Sequence, residues 1–145
     1  MVRKILSLVL VLNSGAALAC QCPDIPLTKK VADSDYIYIG LNISASLQEG
    51  DLVENKMKPI EVLKGVPDQY ILMSKGGPIT LCSTKAAVGL NYVVFGRIGE
   101  VPSISLCSYS QYVESSTDVR IQEIREAVNK QRNTDFGADA PPPVR

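Results

Sequence analysis

Residues 36–45 read Tyr36-Ile37-Tyr38-Ile39-Gly40-Leu41-Asn42-Ile43-Ser44-Ala45, and their apolar residues recur with a period of two. Ile37, Ile39, Leu41 and Ile43 fall on one face; Tyr36, Tyr38, Gly40 and Asn42 fall on the other. This is the pattern of a β-strand with one face buried. Downstream, Gln48-Glu49-Gly50-Asp51 predicts a turn, and Met57 to Leu63 predicts a return strand in which Pro59 is tolerable only at an edge or bulge. The two strands are expected to form a hairpin with a long mobile tip.

Three further strands are expected. Lys64-Gly65-Val66-Pro67-Asp68 is a turn leading into Tyr70 to Ser74, which Gly76-Gly77-Pro78 ends. Tyr92 to Arg97 is a continuous apolar run suited to a core strand, and Ile104-Ser105-Leu106-Cys107 alternates as the fifth. Five short strands with turns between them predict a mainly β fold, a five-stranded closed barrel. Upstream, Leu27 to Ala32 predicts one short helical turn. Ser115-Ser116-Thr117-Asp118 has the spacing of a capping box and opens a helix from Asp118 to about Arg132, with Ile121, Ile124 and Val128 as the stripe that packs on the barrel. Residues 133–145, with Gly137 and Pro141-Pro142-Pro143, lack an apolar pattern and are expected to form a disordered tail.

Met1 to Ala19 has the parts of a signal peptide: Arg3 and Lys4, an apolar run from Ile5 to Leu12 broken only by Ser7, and the small-x-small Ala17-Leu18-Ala19. Cleavage there makes Cys20 the first mature residue. Two rival readings remain, lipidation of Cys20 and cleavage after Ala17. Ala17 stands where a lipobox usually has Leu, and lipidation would leave an odd number of thiols. No later stretch approaches the roughly 20 apolar residues of a membrane helix, so a secreted protein is expected, or a periplasmic one in a Gram-negative cell.

Removing Met1 to Ala19 takes away Arg3 and Lys4 and no carboxylate, which leaves 15 acidic residues facing 13 basic ones, a formal balance of −2. Without a basic excess, nucleic acid is not an expected partner. Residues 20–132 fit one domain with a modest core. Histidine is absent from the chain, which excludes a Ser-His or Cys-His nucleophile, a His-ligated zinc and an imidazole proton shuttle. Asp24, Asp33 and Asp35 cluster near the terminus, where turn formation accounts for them. No enzyme and no cofactor are expected.

The four cysteines stand at 20, 22, 82 and 107. An even count in an exported chain favours two disulfides, and a Cys20 to Cys22 bond would close a strained small loop, so each terminal cysteine is expected to reach into the barrel. Spacing alone does not assign the partners. Cys-x-Cys is not the Cys-x-x-Cys of redox proteins, and Cys82 and Cys107 stand too far apart for a second zinc knuckle. The bonds serve at least to staple the N-terminus to a small exported domain.

Together these pieces resemble, in order, the tissue inhibitors of metalloproteinases and the wider netrin-like modules. The resemblance is carried by Cys20-Gln21-Cys22-Pro23, Ser34-Asp35-Tyr36-Ile37-Tyr38-Ile39, Val62-Leu63-Lys64-Gly65, Thr80-Leu81-Cys82-Ser83, Tyr92-Val93-Val94-Phe95-Gly96 and Ile104-Ser105-Leu106-Cys107-Ser108-Tyr109. Ala32, where the animal proteins commonly carry another cysteine, and the lack of a cysteine-rich second domain are the marks of a short, divergent, single-domain member of bacterial type. The resemblance implies an OB-type barrel with pairings Cys20–Cys82 and Cys22–Cys107. It also implies a monomeric inhibitor of zinc metalloproteases in which the α-amino nitrogen and carbonyl oxygen of Cys20 chelate the partner's catalytic zinc. Gln21 would enter the specificity pocket, and Pro23, Asp24, Thr80, Leu81 and Ser83 would form the ridge around it, beside Cys22 and Cys82. The alternative is a noncatalytic netrin-like binding module that engages its ligand through another surface.

Overall fold

The computed structural model describes Cys20, residues 22–76 and residues 83–138. Its elements are α1 (Leu27–Ala32), β1 (Tyr36–Leu47), β2 (Leu52–Lys64), β3 (Ile71–Lys75), β4 (Asn91–Gly96), β5 (Gln111–Val113) and α2 (Val119–Ala138). The strands form one antiparallel sheet in the order β3-β2-β1-β4-β5. The sheet does not close into the expected barrel by strand pairing. Among the described residues, β3 is bridged to the segment between β4 and β5 at Met73 and Ser103, in parallel, where Met73 N–H donates to Pro102 O and Ile104 N–H to Met73 O, each at 2.8 Å.

β1 sits centrally and buries both faces along its first half, rather than the single face that its alternation predicted. Ile37 and Ile39 join Val31, Val93, Phe95, Val113, Ile121, Ile124 and Val128 under the two helices. Tyr36 and Tyr38 join Met57, Leu72, Tyr92, Val94 and Ile104 on the opposite face. Each fully buried side chain of this size contributes about 1.5–3 kcal/mol relative to exposure. Cover on both faces has a sharp limit, because neither layer reaches the distal end of β1, and Ile43 is 52% exposed.

The hairpin tip is tight rather than long and mobile. Pairing continues to Leu47 opposite Val53, and a short 3-10 turn at Glu49–Asp51 closes it. Gln48 N–H donates to Leu52 O, and Gly76 N–H to Asp51 O, each at 2.7 Å. β2 begins at Leu52 because its polar start is satisfied internally. Asn55 receives the Asn42 amide at 2.9 Å and donates to Leu72 O at 2.8 Å and Ser74 Oγ at 3.0 Å. A buried amide satisfied on both neighbouring strands favours one register over its slipped alternatives. The same burial withdraws Asn42, in the Asn42-Ile43-Ser44 sequon, wholly from solvent. Pro59 faces Gly40 at a register shift, so the bulge expected of it is present even though β2 is an interior strand.

The fifth strand is Gln111–Val113, not Ile104 to Cys107. Ile104 is 4% exposed and Leu106 is 58% exposed, so the two residues that alternation would put on one face do not share it, because the chain turns before a ladder forms. Ser108 N–H donates to Ser105 O at 3.2 Å, and Ser108 Oγ accepts Ser105 N–H at 2.9 Å. Cys107 therefore sits in a turn.

Asp118 rather than Ser115 caps α2: its Oδ1 accepts the Arg120 N–H at 3.0 Å, the N-cap geometry. Hydrogen bonds from the Arg120 side chain and then its backbone hold the Asp118 carboxyl below the usual carboxylate range. The expected stripe of Ile121, Ile124 and Val128 is buried. The helix continues through residues 133–138, which were expected in a disordered tail. Once nucleated, a helix propagates without an apolar face. Residues 139–145, the remainder of that tail, lie outside the described residues.

Gly65 makes the turn after β2 possible. Its φ is +49°, and a Cβ there would lie 2.2 Å from the Asp35 carbonyl oxygen. Gly65→Ala is expected to cost about 2–4 kcal/mol, combining left-handed strain with a backbone overlap that no rotamer relieves. Urea unfolding of the variant measures it.

Candidate functional site

Residues 22–26 have no regular structure up to the start of α1, and two of the five are prolines, Pro23 and Pro26, which have no N–H to give. Two anchors hold this segment. On its C-terminal side, α1 seats Val31 and Leu27 in the helix-side core. Lys64 Nζ donates to Val31 O at 2.7 Å and to Gln131 Oε1 at 3.2 Å, tying the end of α1 to β2 and α2. Burial pushes the Lys64 amine below its ordinary pKa, while Asp35 and Asp135 pull the other way. Lys30 lies over the Tyr109 ring at 5.3 Å.

On its N-terminal side, Cys22 is bonded to Cys107, with Cα atoms 5.1 Å apart. This is the pairing that the resemblance implies. Cys107 is itself placed by the Ser105–Ser108 turn, and Ser108 Oγ also donates to Ser110 O at 2.9 Å. Ser83 pairs with Ser105 in an isolated antiparallel bridge. Two chain segments distant in sequence, 22–24 and the one starting at Ser83, are thus brought to one short turn.

Of the expected ridge, Cys22, Pro23 and Asp24 are exposed and Ser83 is half-buried beside Ser105. Cys20 is half-buried and disulfide-bonded. Gln21, Thr80, Leu81 and Cys82 lie outside the described residues, and with them the expected Cys20–Cys82 pairing. So does the expected signal segment, residues 1–19. The residues that the sequence reading missed are Ser105 and Ser108. Their i, i+3 spacing before Ser110 is a turn signal, and the apolar alternation of Ile104 and Leu106 masked it.

Beside this turn lies an apolar groove of about 390 Å³ whose lining includes Leu90, Tyr92, Ile104, Leu106 and Tyr112. Leu90, Leu106 and Tyr112 are all exposed. The exposed, disulfide-held segment 22–24 and the apolar groove thus lie on either side of the Ser105–Ser108 turn. Among the described residues no helix is long and apolar enough to cross a membrane. No protein-family model matches the chain, and no curated protein matches it.

Proposed function

We propose that the chain is a secreted or periplasmic inhibitor of zinc metalloendopeptidases, acting through the backbone amine and carbonyl of a mature N-terminal Cys20. The observation that carries this reading is the exposed 22–24 segment, held by Cys22–Cys107 on one side and by α1 on the other. A catalytic zinc has three protein ligands and one position for water. Two backbone atoms of Cys20 filling that side would displace the water that attacks substrate. The free amine, with a pKa near 7.7–8.0, must lose its proton to bind, which costs little beside a zinc ion. A terminus already fixed by covalent bonds loses little entropy on docking.

The fold assigned with this function is a netrin-like OB-type barrel. The parallel Met73–Ser103 bridge supports it, since that contact links one edge strand, β3, to the segment that leads into the other, β5. The groove at Leu90, Leu106 and Tyr112 favours the second reading, a noncatalytic netrin-like binding module.

The experiment is an intact-mass measurement followed by an inhibition assay. The secreted form should begin at Cys20 with a free amine and inhibit a zinc endopeptidase, and acetylating that amine should abolish inhibition. A native terminus at Leu18, an acylated Cys20, or inhibition that survives acetylation would contradict the mechanism. Binding to the protease without loss of its activity would favour the binding module.

A further inference from the structure

β5 is an edge strand with one side unused. Its ladder runs to β4 alone, with Gln111 opposite Val93, Tyr112 opposite Tyr92 and Val113 opposite Asn91. Among the described residues, no other backbone hydrogen bond involves Gln111, Tyr112 or Val113. Exposed edges are commonly guarded by a charge or a proline, and β5 carries neither. Gln111 and Tyr112 also line the groove of about 390 Å³ beside the Ser105–Ser108 turn, so unpaired main chain borders an apolar hollow.

The hollow is preformed. Tyr92 Oη accepts the Ala87 N–H and Asn42 O the Gly89 N–H, each at 2.7 Å, which fixes the wall that carries Leu90. Tyr92 and Tyr112 meet edge to face with ring centres 6.2 Å apart. Among the described residues of the lining, Lys85 alone is charged. It is exposed, and among the described residues it has no ion pair.

We propose that β5 and this groove bind an extended segment of a partner protein, added to the five-stranded sheet as a sixth strand, with alternate apolar side chains in the groove and a carboxylate facing Lys85. In such strand addition, main-chain bonds hold the peptide and alternate side chains select it. A strand of three residues offers roughly two or three main-chain bonds, so apolar contact must supply the rest. The groove has the volume for it, within the roughly 300–1,000 Å³ of ligand pockets. A second copy of this face fits poorly, because a two-fold contact would lay one concavity against another. The site stands apart from the Cys20 amine and holds whether or not Cys20 chelates zinc.

Titration of the ¹⁵N-labelled protein with acetyl-Val-Thr-Val-Thr-Glu-amide and with acetyl-Glu-Thr-Val-Thr-Val-amide tests both strand directions. At least one peptide should give saturable shifts at the amides of Lys85, Leu106, Gln111 and Tyr112. The same peptide N-methylated throughout keeps its side chains but loses its N–H donors, and should bind at least about fivefold more weakly. Leu106→Ser should weaken binding about tenfold. Lys85→Glu should weaken it about fivefold, and a peptide with Lys in place of Glu should recover the loss on that variant. Lys85 and Leu106 are exposed, so neither change enters the core, and neither touches Cys20, so peptide binding and protease inhibition can fail separately. Absence of saturable shifts with both peptides, equal affinity of the N-methylated form, or affinity unchanged in both variants would overturn the proposal. So would shifts at the same amides on raising the protein concentration alone, which would assign the edge to a second copy.

Discussion

Cys107→Ser is expected to lower the unfolding free energy of the protein by about 3–5 kcal/mol, with the midpoint in urea falling accordingly. The Cys22–Cys107 bond spans 85 residues, and in the chain-entropy model a loop of that length restricts the unfolded chain by roughly 4.5 kcal/mol. The native state also loses a tether, since residues 22–26 have no strand partner of their own. Cys22→Ser should cost the same within error, and the double variant no more than either single one, because all three remove one covalent link. A loss below about 1 kcal/mol would mean that α1, through Val31 and Lys64, already holds the segment.

How far the sequence could be read depended on how local the determining physics is. β1 was legible because alternation over ten residues is a property of that segment, and α2 was legible because its stripe has helical spacing. The second buried face of β1 was not legible. It depends on Leu72 and Ile104, which arrive from other elements. The polar start of β2 concealed a strand because Asn55 looks like a turn residue until Asn42, Leu72 and Ser74 surround it. Ile104 to Cys107 misled in the opposite direction: its residue types alternate, but a serine-built turn and a disulfide take the segment out of the ladder, and Ile104 and Leu106 do not share a buried face.

The candidate site divides in the same way. Cys-x-Cys after a signal-like segment is visible in one dimension, and the Cys22–Cys107 pairing followed only from the family resemblance. The convergence of Ser83 on Ser105 needs three dimensions.

The central claim rests on an amine at one position, so displacing it should have the largest functional effect. A mature protein that begins Ala-Cys20 is expected to keep the wild-type unfolding midpoint, since neither Cys22–Cys107 nor α1 is touched. Its α-amine moves by one residue, about 3.8 Å, and a secondary amide takes its place beside the zinc. That replaces a good ligand with a poor one and adds a side chain where the docked surfaces meet. Losing several kcal/mol of chelation raises the inhibition constant by at least about 100-fold. The decisive measurement is the inhibition constant of this variant against a zinc endopeptidase that the Cys20 form inhibits. The account predicts a rise of that size with unchanged stability, and inhibition within about threefold of the Cys20 form would contradict it.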